Sequence, residues 1–249
     1  MWRRPDALET SRAYGERVSR RRLLLIVAAA AGVAAGGVLV GAMVLTTGGS
    51  SKTAAPVGSE HVAAMLRGIP QEGTVLGSRK APVTLVEFAD PQCPYCADWA
   101  RVALPVLVRD YVRAGKVQIV YSGMHFVGPE SETALRTALS AAAQGRFWNV
   151  LELLYANQGT ENTGWVTDSL LRSIGGAVPG LSAQKMLDGR NSAAVEQLLV
   201  AADALAQQAG VNSTPTFAVG RTGSTLRIVH VSSLGATGLE PAIDAALKE

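Results

Sequence analysis

Asp90-Pro91-Gln92-Cys93-Pro94-Tyr95-Cys96 decides how the rest of the chain is read. It holds the two cysteines of a 249-residue sequence, separated by two residues. The apolar run Val83-Thr84-Leu85-Val86-Glu87-Phe88-Ala89 leads into it. Ala97, Trp99, Ala100, Ala103, Leu104, Leu107 and Val108 lead out of it at helical spacing. The pair therefore falls at a strand-to-helix junction. Pro94 suits the first helical position, where its missing N–H costs nothing, and this makes Cys93 the N-cap. A thiolate there can accept orphan N–H groups of the first turn and sits at the positive end of the helix dipole. Both effects favour S⁻, the nucleophilic form. Cys96 lies three residues on, on the same side of the turn, within reach of a short reversible disulfide.

Two blander readings stand beside this one. A CxxC pair can be half of a zinc site, but zinc takes four ligands, and His61, His125 and His230 are not paired at metal spacing. The pair can also be a static bridge, although so small a loop stabilises little by chain entropy. Redox chemistry is the favoured reading, with no metal and no cofactor beyond the Cys93–Cys96 disulfide itself.

Working outward, the chain divides into an appendage and one folded domain. Residues 1–22 carry seven arginines and three acids, a net charge of +4, which leaves the remainder of a +3 chain at −1. That remainder has no basic cluster interleaved with aromatics, which argues against nucleic-acid binding. Residues 23–45 contain no charged side chain and as a helix would span about 35 Å, enough for a hydrocarbon core of about 30 Å. Arg20-Arg21-Arg22 precedes the run and no Lys or Arg follows until Lys52. The positive-inside rule then predicts a single-pass anchor in the cell membrane, N-terminus cytoplasmic and the rest extracytoplasmic. A cleaved signal peptide is the alternative, and Ser19-Arg20-Arg21-Arg22-Leu23-Leu24 resembles a twin-arginine export signal. Residues 46–58 read as a flexible linker, and 59–249 as the extracytoplasmic domain.

Within that domain, Ser59 to Arg67 reads as a short helix and Val75-Leu76 as a short strand. Val83 to Ala89 has the apolar run of a buried central strand. Glu87 is the exception in it. A carboxylate there is costly unless solvated or paired. Behind the cysteines its proton affinity would rise, and it could trade protons with Cys96; at an exposed strand end it would merely be solvated. The helix from Pro94 is predicted to run to about Ala114 with a kink at Pro105. Val117 to Tyr121 is the next strand, and the helical crossover makes it parallel to the first. From about 130 to 209 the pattern is helical: Glu130 to Gln144, Phe147 to Asn157, Trp165 to Gly175 capped by Thr163 or Gly164, Ser182 to Leu187, and Ser192 to Ala209. Strand pattern returns at Val211 to Val219, paired as a hairpin with Leu226 to Val231, and Leu239 to Leu247 closes as a helix. Pro215 cannot donate to a ladder, which predicts a bend or a cis bond.

Cys93-Pro94-Tyr95-Cys96 between a strand and a helix, the helical insertion, and Val211-Asn212-Ser213-Thr214-Pro215-Thr216-Phe217 together resemble the thioredoxin-fold thiol–disulfide oxidoreductases of the DsbA-like subgroup, over roughly residues 60 to 249. The resemblance implies an α/β thioredoxin fold with a central mixed sheet and a large helical insertion. It implies a cis Pro215 facing the disulfide, with Thr214 offering backbone contacts to an extended peptide. It implies an exposed attacking Cys93, a buried resolving Cys96, and Glu87 as the family's buried acid. Tyr95 departs from the Pro-His pair of the best-known oxidases of this subgroup, so the direction of electron flow is open between oxidase and reductase or isomerase. A non-catalytic peptide-binding module with an inert bridge is the alternative of another class. The partners implied are exported proteins with free thiols and a membrane redox protein, quinone-linked, for reoxidation.

Overall fold

The computed structural model of the chain describes residues 55–231 and 233–249. The basic tail, the apolar run 23–45 and most of the linker lie outside the described residues. Among the described residues no helix is long and apolar enough to cross a membrane.

The chain opens with α1 (Ser59–Leu66), then the two-residue strands β1 (Gln71–Glu72) and β2 (Val75–Leu76), then β3 (Val83–Ala89). Every residue of β3 is buried, which is what its unbroken apolar run requires. α2 (Pro94–Val102) follows the cysteine loop, and α3 (Leu104–Leu107) follows α2. The predicted single kinked helix is thus two helices. Pro105 lies in the first turn of the second, the one place in a helix where its missing N–H and fixed φ are harmless. A π-helical turn, Val108–Val112, continues it, and Gly115 leaves it at a left-handed φ of 67°.

β4 (Val117–Gly123) runs parallel to β3 in the register Val83↔Val117 through Ala89↔Gly123. The insertion comprises α4 (Pro129–Ala142), α5 (Phe147–Ala156), α6 (Asp168–Ala177), α7 (Ala183–Asp188) and α8 (Ala193–Gln208). α6 starts three residues later than Trp165, capped by Thr167, whose hydroxyl accepts from Leu170 N. The Glu130 carboxylate takes the N–H groups of Gly164 and Val166 at 2.7 and 3.1 Å, so that segment is held as a loop. β5 (Thr216–Arg221) and β6 (Arg227–Val229) form the hairpin, and α9 (Glu240–Lys248) ends the chain. β5 begins after Pro215 rather than at Val211, because a proline has no N–H to give to the ladder.

The sheet order is β1-β2-β4-β3-β5-β6, with β3–β4 parallel and the remaining pairs antiparallel. Side chains alternate across β3. Leu85 and Ala89 join the large core with α2, α5 and α9, whereas Val86 and Phe88 join a smaller cluster with Ala206 of α8 and Ala218. Residues of the insertion, among them Leu135, Trp148, Leu151 and Leu154, share the larger core with the sheet. The insertion is therefore built into the same domain.

Candidate functional site

The local backbone of the cysteine loop is as its residues dictate. Cys93 is the N-cap of α2 in extended backbone (φ −67°, ψ 120°) and Pro94 opens the helix. Both cysteines are free thiols here. Cys96 is 0% exposed, and Cys93 only 5%. Cys93 is therefore not the exposed sulfur that the resemblance implied. The Thr214 carbonyl lies against it, and Tyr95 beside it is 62% exposed.

Sequence-distant groups complete the site. The Thr214–Pro215 bond is cis, and the Cys93 thiol donates to the Thr214 carbonyl at 3.5 Å. The two thiols titrate apart. The neighbouring Cys96 thiol, with the Thr214 side chain and the Cys96 and Tyr95 backbone N–H groups, outweighs burial and lowers Cys93 to about 6. Burial, and then the adjacent Cys93, push Cys96 well above the ordinary thiol value. At neutral pH one sulfur is a thiolate and the other holds its proton.

Glu87 is 1% exposed. Burial first, then the charges of Glu152 and Cys93, push its carboxyl well up. The solvated alternative for Glu87 is thereby removed. His125, at the end of β4, lies 3.5 Å from Asp203.

Several residues at the site carry no sequence signal of their own. The Asp90 carboxylate, fully buried, accepts from Gln92 N at 2.8 Å and Val127 N at 3.1 Å. The Gln92 side chain donates to Ser131 Oγ and Asn162 Oδ1 and accepts from Asn162 N. Asn162, at φ 56°, also donates to the Val127 carbonyl. Gln158 Nε2 donates to the carbonyls of Pro91 and Cys93 at 2.8 and 3.2 Å. The helical insertion thus grips the cysteine loop from its far side and fixes the backbone that aims Cys93. Glu152 did have a signal, a lone acid in the apolar stretch Phe147 to Tyr155, of the same kind that singles out Glu87.

A dithiol split into a thiolate at a helix N-terminus and a buried thiol three residues on, faced by a cis-proline loop across a mixed sheet, defines the thioredoxin class of redox site. A family profile described as thioredoxin matches residues 70–225, and the chain belongs to that family. A probable disulfide bond formation protein D of Bacillus cereus is 37% identical over 101 residues, covering 40% of this chain and 47% of that protein. The chain spans about half the length of the curated relatives it matches. The crystal structure of oxidised BdbD from Bacillus subtilis superposes with a TM-score of 0.62 at 22% identity, covering 73% of this chain and 98% of that one. A thioredoxin-like oxidoreductase from Silicibacter pomeroyi gives 0.54 at 29% identity, covering 70% and 92%.

Proposed function

We propose that the chain is a thiol–disulfide oxidoreductase that introduces disulfides into exported proteins by exchange at Cys93–Cys96. The observation that carries the reading is the placement of Cys93 at the N-cap of α2, against the cis Thr214–Pro215 bond, with Cys96 buried one turn on, an arrangement that lowers Cys93 to about 6. A pair whose reduced form holds a favoured thiolate is oxidising, because stabilising the reduced form raises the potential.

In the reaction a substrate thiolate attacks Cys93 Sγ. The Cys93–Cys96 bond breaks, its electron pair leaves on Cys96, and Cys96 takes up a proton. A second substrate thiolate then attacks the substrate sulfur of the mixed disulfide and Cys93 leaves as the thiolate. Two electrons pass from substrate to protein. Thr214 would offer backbone contacts to an extended substrate beside Pro215, with Pro94 and Tyr95 flanking it. Glu87 is the proton source or sink for Cys96. No cofactor beyond the disulfide is required. The relatives named for disulfide bond formation support this direction.

The apolar run 23–45 with its arginine flank supports a cell-membrane location, with the tail cytoplasmic and the thioredoxin domain extracytoplasmic. A membrane redox protein, quinone-linked, would reoxidise the pair. The test is the reduction potential of the full chain in detergent, equilibrated against a glutathione series. A value above about −200 mV supports the oxidase; a value near about −270 mV makes it a reductase; failure to equilibrate makes the bridge inert. Cys96→Ser should trap mixed disulfides with substrates, and Cys93→Ser should abolish exchange.

A further inference from the structure

Two carboxylates are buried behind the cysteines, and the exchange reaction as written uses one of them. Leu85, Glu87 and Ala89 share the face of β3 that packs against α2 and α5. The ladder neighbours of Glu87 on that face are Tyr121 and Phe217. Tyr121 Oη lies 3.2 Å from Tyr155 Oη of α5. Glu152 precedes Tyr155 by three residues, on the same side of that helix. It is 5% exposed. Its Oε1, like both oxygens of Glu87, has no hydrogen-bond partner among the described residues, and no ion pair forms with either acid among them. Unsatisfied buried carboxylates are costly, and such an exception calls for a use.

Glu152 also lines a cavity of about 250 Å³ between α1, α2 and α5, walled by Val62, Met65, Ala97, Ala100 and Tyr155. The exposed His61 and Arg101 border the same cavity, so it reaches solvent. A space of that size accommodates several waters beside a polar group.

We propose that Glu152 and this cavity form the outer end of a proton path that runs from solvent through Glu87 to Cys96. The inference rests on the thiol-exchange reading above. Cys96 leaves as a thiolate where no solvent touches it, and must be protonated from inside. Glu87 gives it a proton, Glu152 replaces that proton on Glu87, and cavity water replaces the one on Glu152. When the pair is reoxidised, the same proton returns outward and frees the Cys96 thiolate. Glu152 touches neither sulfur and acts through Glu87. Burial pushes Glu152 up, and burial and then the charge of Glu152 raise Glu87, so each acid favours the form that carries the proton. The other groups facing them do not compete. Burial keeps Tyr121 and Tyr155 protonated, Asp90 is occupied by the Gln92 and Val127 N–H groups, and Cys93 is the reacting thiolate. His61 and Arg101 face Glu152 from α1 and α2 across the cavity.

The test is a stopped-flow reaction of the reduced full chain with a chromogenic aromatic disulfide. Attack by Cys93 releases one coloured thiol, and attack by Cys96 on the resulting mixed disulfide releases a second. The second phase needs the Cys96 proton removed, and the first is the internal control. Glu152→Gln should slow the second phase at least about tenfold, with the first phase retained. The midpoint of its pH profile should move to lower pH, because Glu87 loses a negative neighbour; a packing defect alone would not move that midpoint. Ala156→Leu, at the exposed wall of the cavity, keeps both acids and narrows the water path; it should slow the second phase without moving the midpoint. A wild-type second phase and profile in Glu152→Gln overturns the path. If Glu152→Gln does not fold, a wild-type second phase in Ala156→Leu overturns it. Absence of a second phase in the wild-type chain instead defeats the thiol-exchange reading on which the path rests.

Discussion

Replacing Cys96 with alanine should raise the Cys93 pKa toward that of an ordinary thiol, because the Cys96 thiol is the largest single influence that lowers it. With Cys96 present, a pKa of about 6 makes Cys93 roughly nine-tenths thiolate at pH 7, against about 3% for a thiol at 8.5. Reactivity gains less than that ratio, since nucleophilicity falls with pKa at a Brønsted slope of about 0.45. The net advantage in alkylation is only about twofold at pH 7, but about tenfold at pH 6, where an ordinary thiol is almost wholly protonated. The assay is therefore iodoacetamide alkylation across pH, read by mass. Wild-type Cys93 should titrate with a midpoint near 6, and the Cys96→Ala protein with one well above it. The same shift appears in stability. The folded pKa is depressed below the unfolded value, so the contribution is fully present above about 8.5 and is lost as pH falls through about 6. Across that window the reduced protein should gain on the oxidised one by about 1.4 kcal/mol per pH unit, roughly 3 kcal/mol in all. Urea melts of both forms measure it. A wild-type alkylation midpoint of 8 or more, on the order of a free thiol, or a reduced–oxidised gap flat with pH, would refute the assignment of the thiolate to Cys93.

Glu87→Gln tests the buried acid by linkage. Its folded pKa is raised by burial, then by Glu152 and Cys93, so folding holds its proton and stability falls as pH rises above about 4.3; the Gln variant should be flatter with pH and more stable at pH 7 in parallel denaturant melts. Trp99→Ala removes a side chain 1% exposed whose ring lies 5.2 Å from that of Phe217; a loss of about 3–5 kcal/mol is expected in urea, and a loss under about 1 would mean the site collapses freely. Gln158→Ala removes the two hydrogen bonds to the Pro91 and Cys93 carbonyls; it should cost about 1–3 kcal/mol and broaden the amide resonances of Gln92 and Cys93, and an unchanged spectrum would show that the insertion does not hold the loop.

The strand, turn and helix around the cysteines were legible in the sequence because their causes are local. An apolar run of seven makes a buried strand, a proline at the first helical position makes the preceding residue the cap, and the cap carries the thiolate chemistry. The helices of the insertion were legible for the same reason, from their apolar spacing, and in the structure the hydroxyls of Ser182 and Ser192 cap two of them. Boundaries failed where a distant group took over the backbone, as when Glu130 captured the amides expected to begin a helix near Trp165. Only the tertiary structure decided what stands against the sulfurs. Thr214 reaches Cys93 across 121 residues of chain, and Asn162 reaches Gln92 across 70. It also decided that Glu87 and Glu152, from a strand and a distant helix, are buried close enough for the charge of one to act on the other. Charge, burial and hydrogen bonding act over a few ångströms of space. Side chains that far apart along the chain acquire those neighbours only when the sheet and insertion close into a single core.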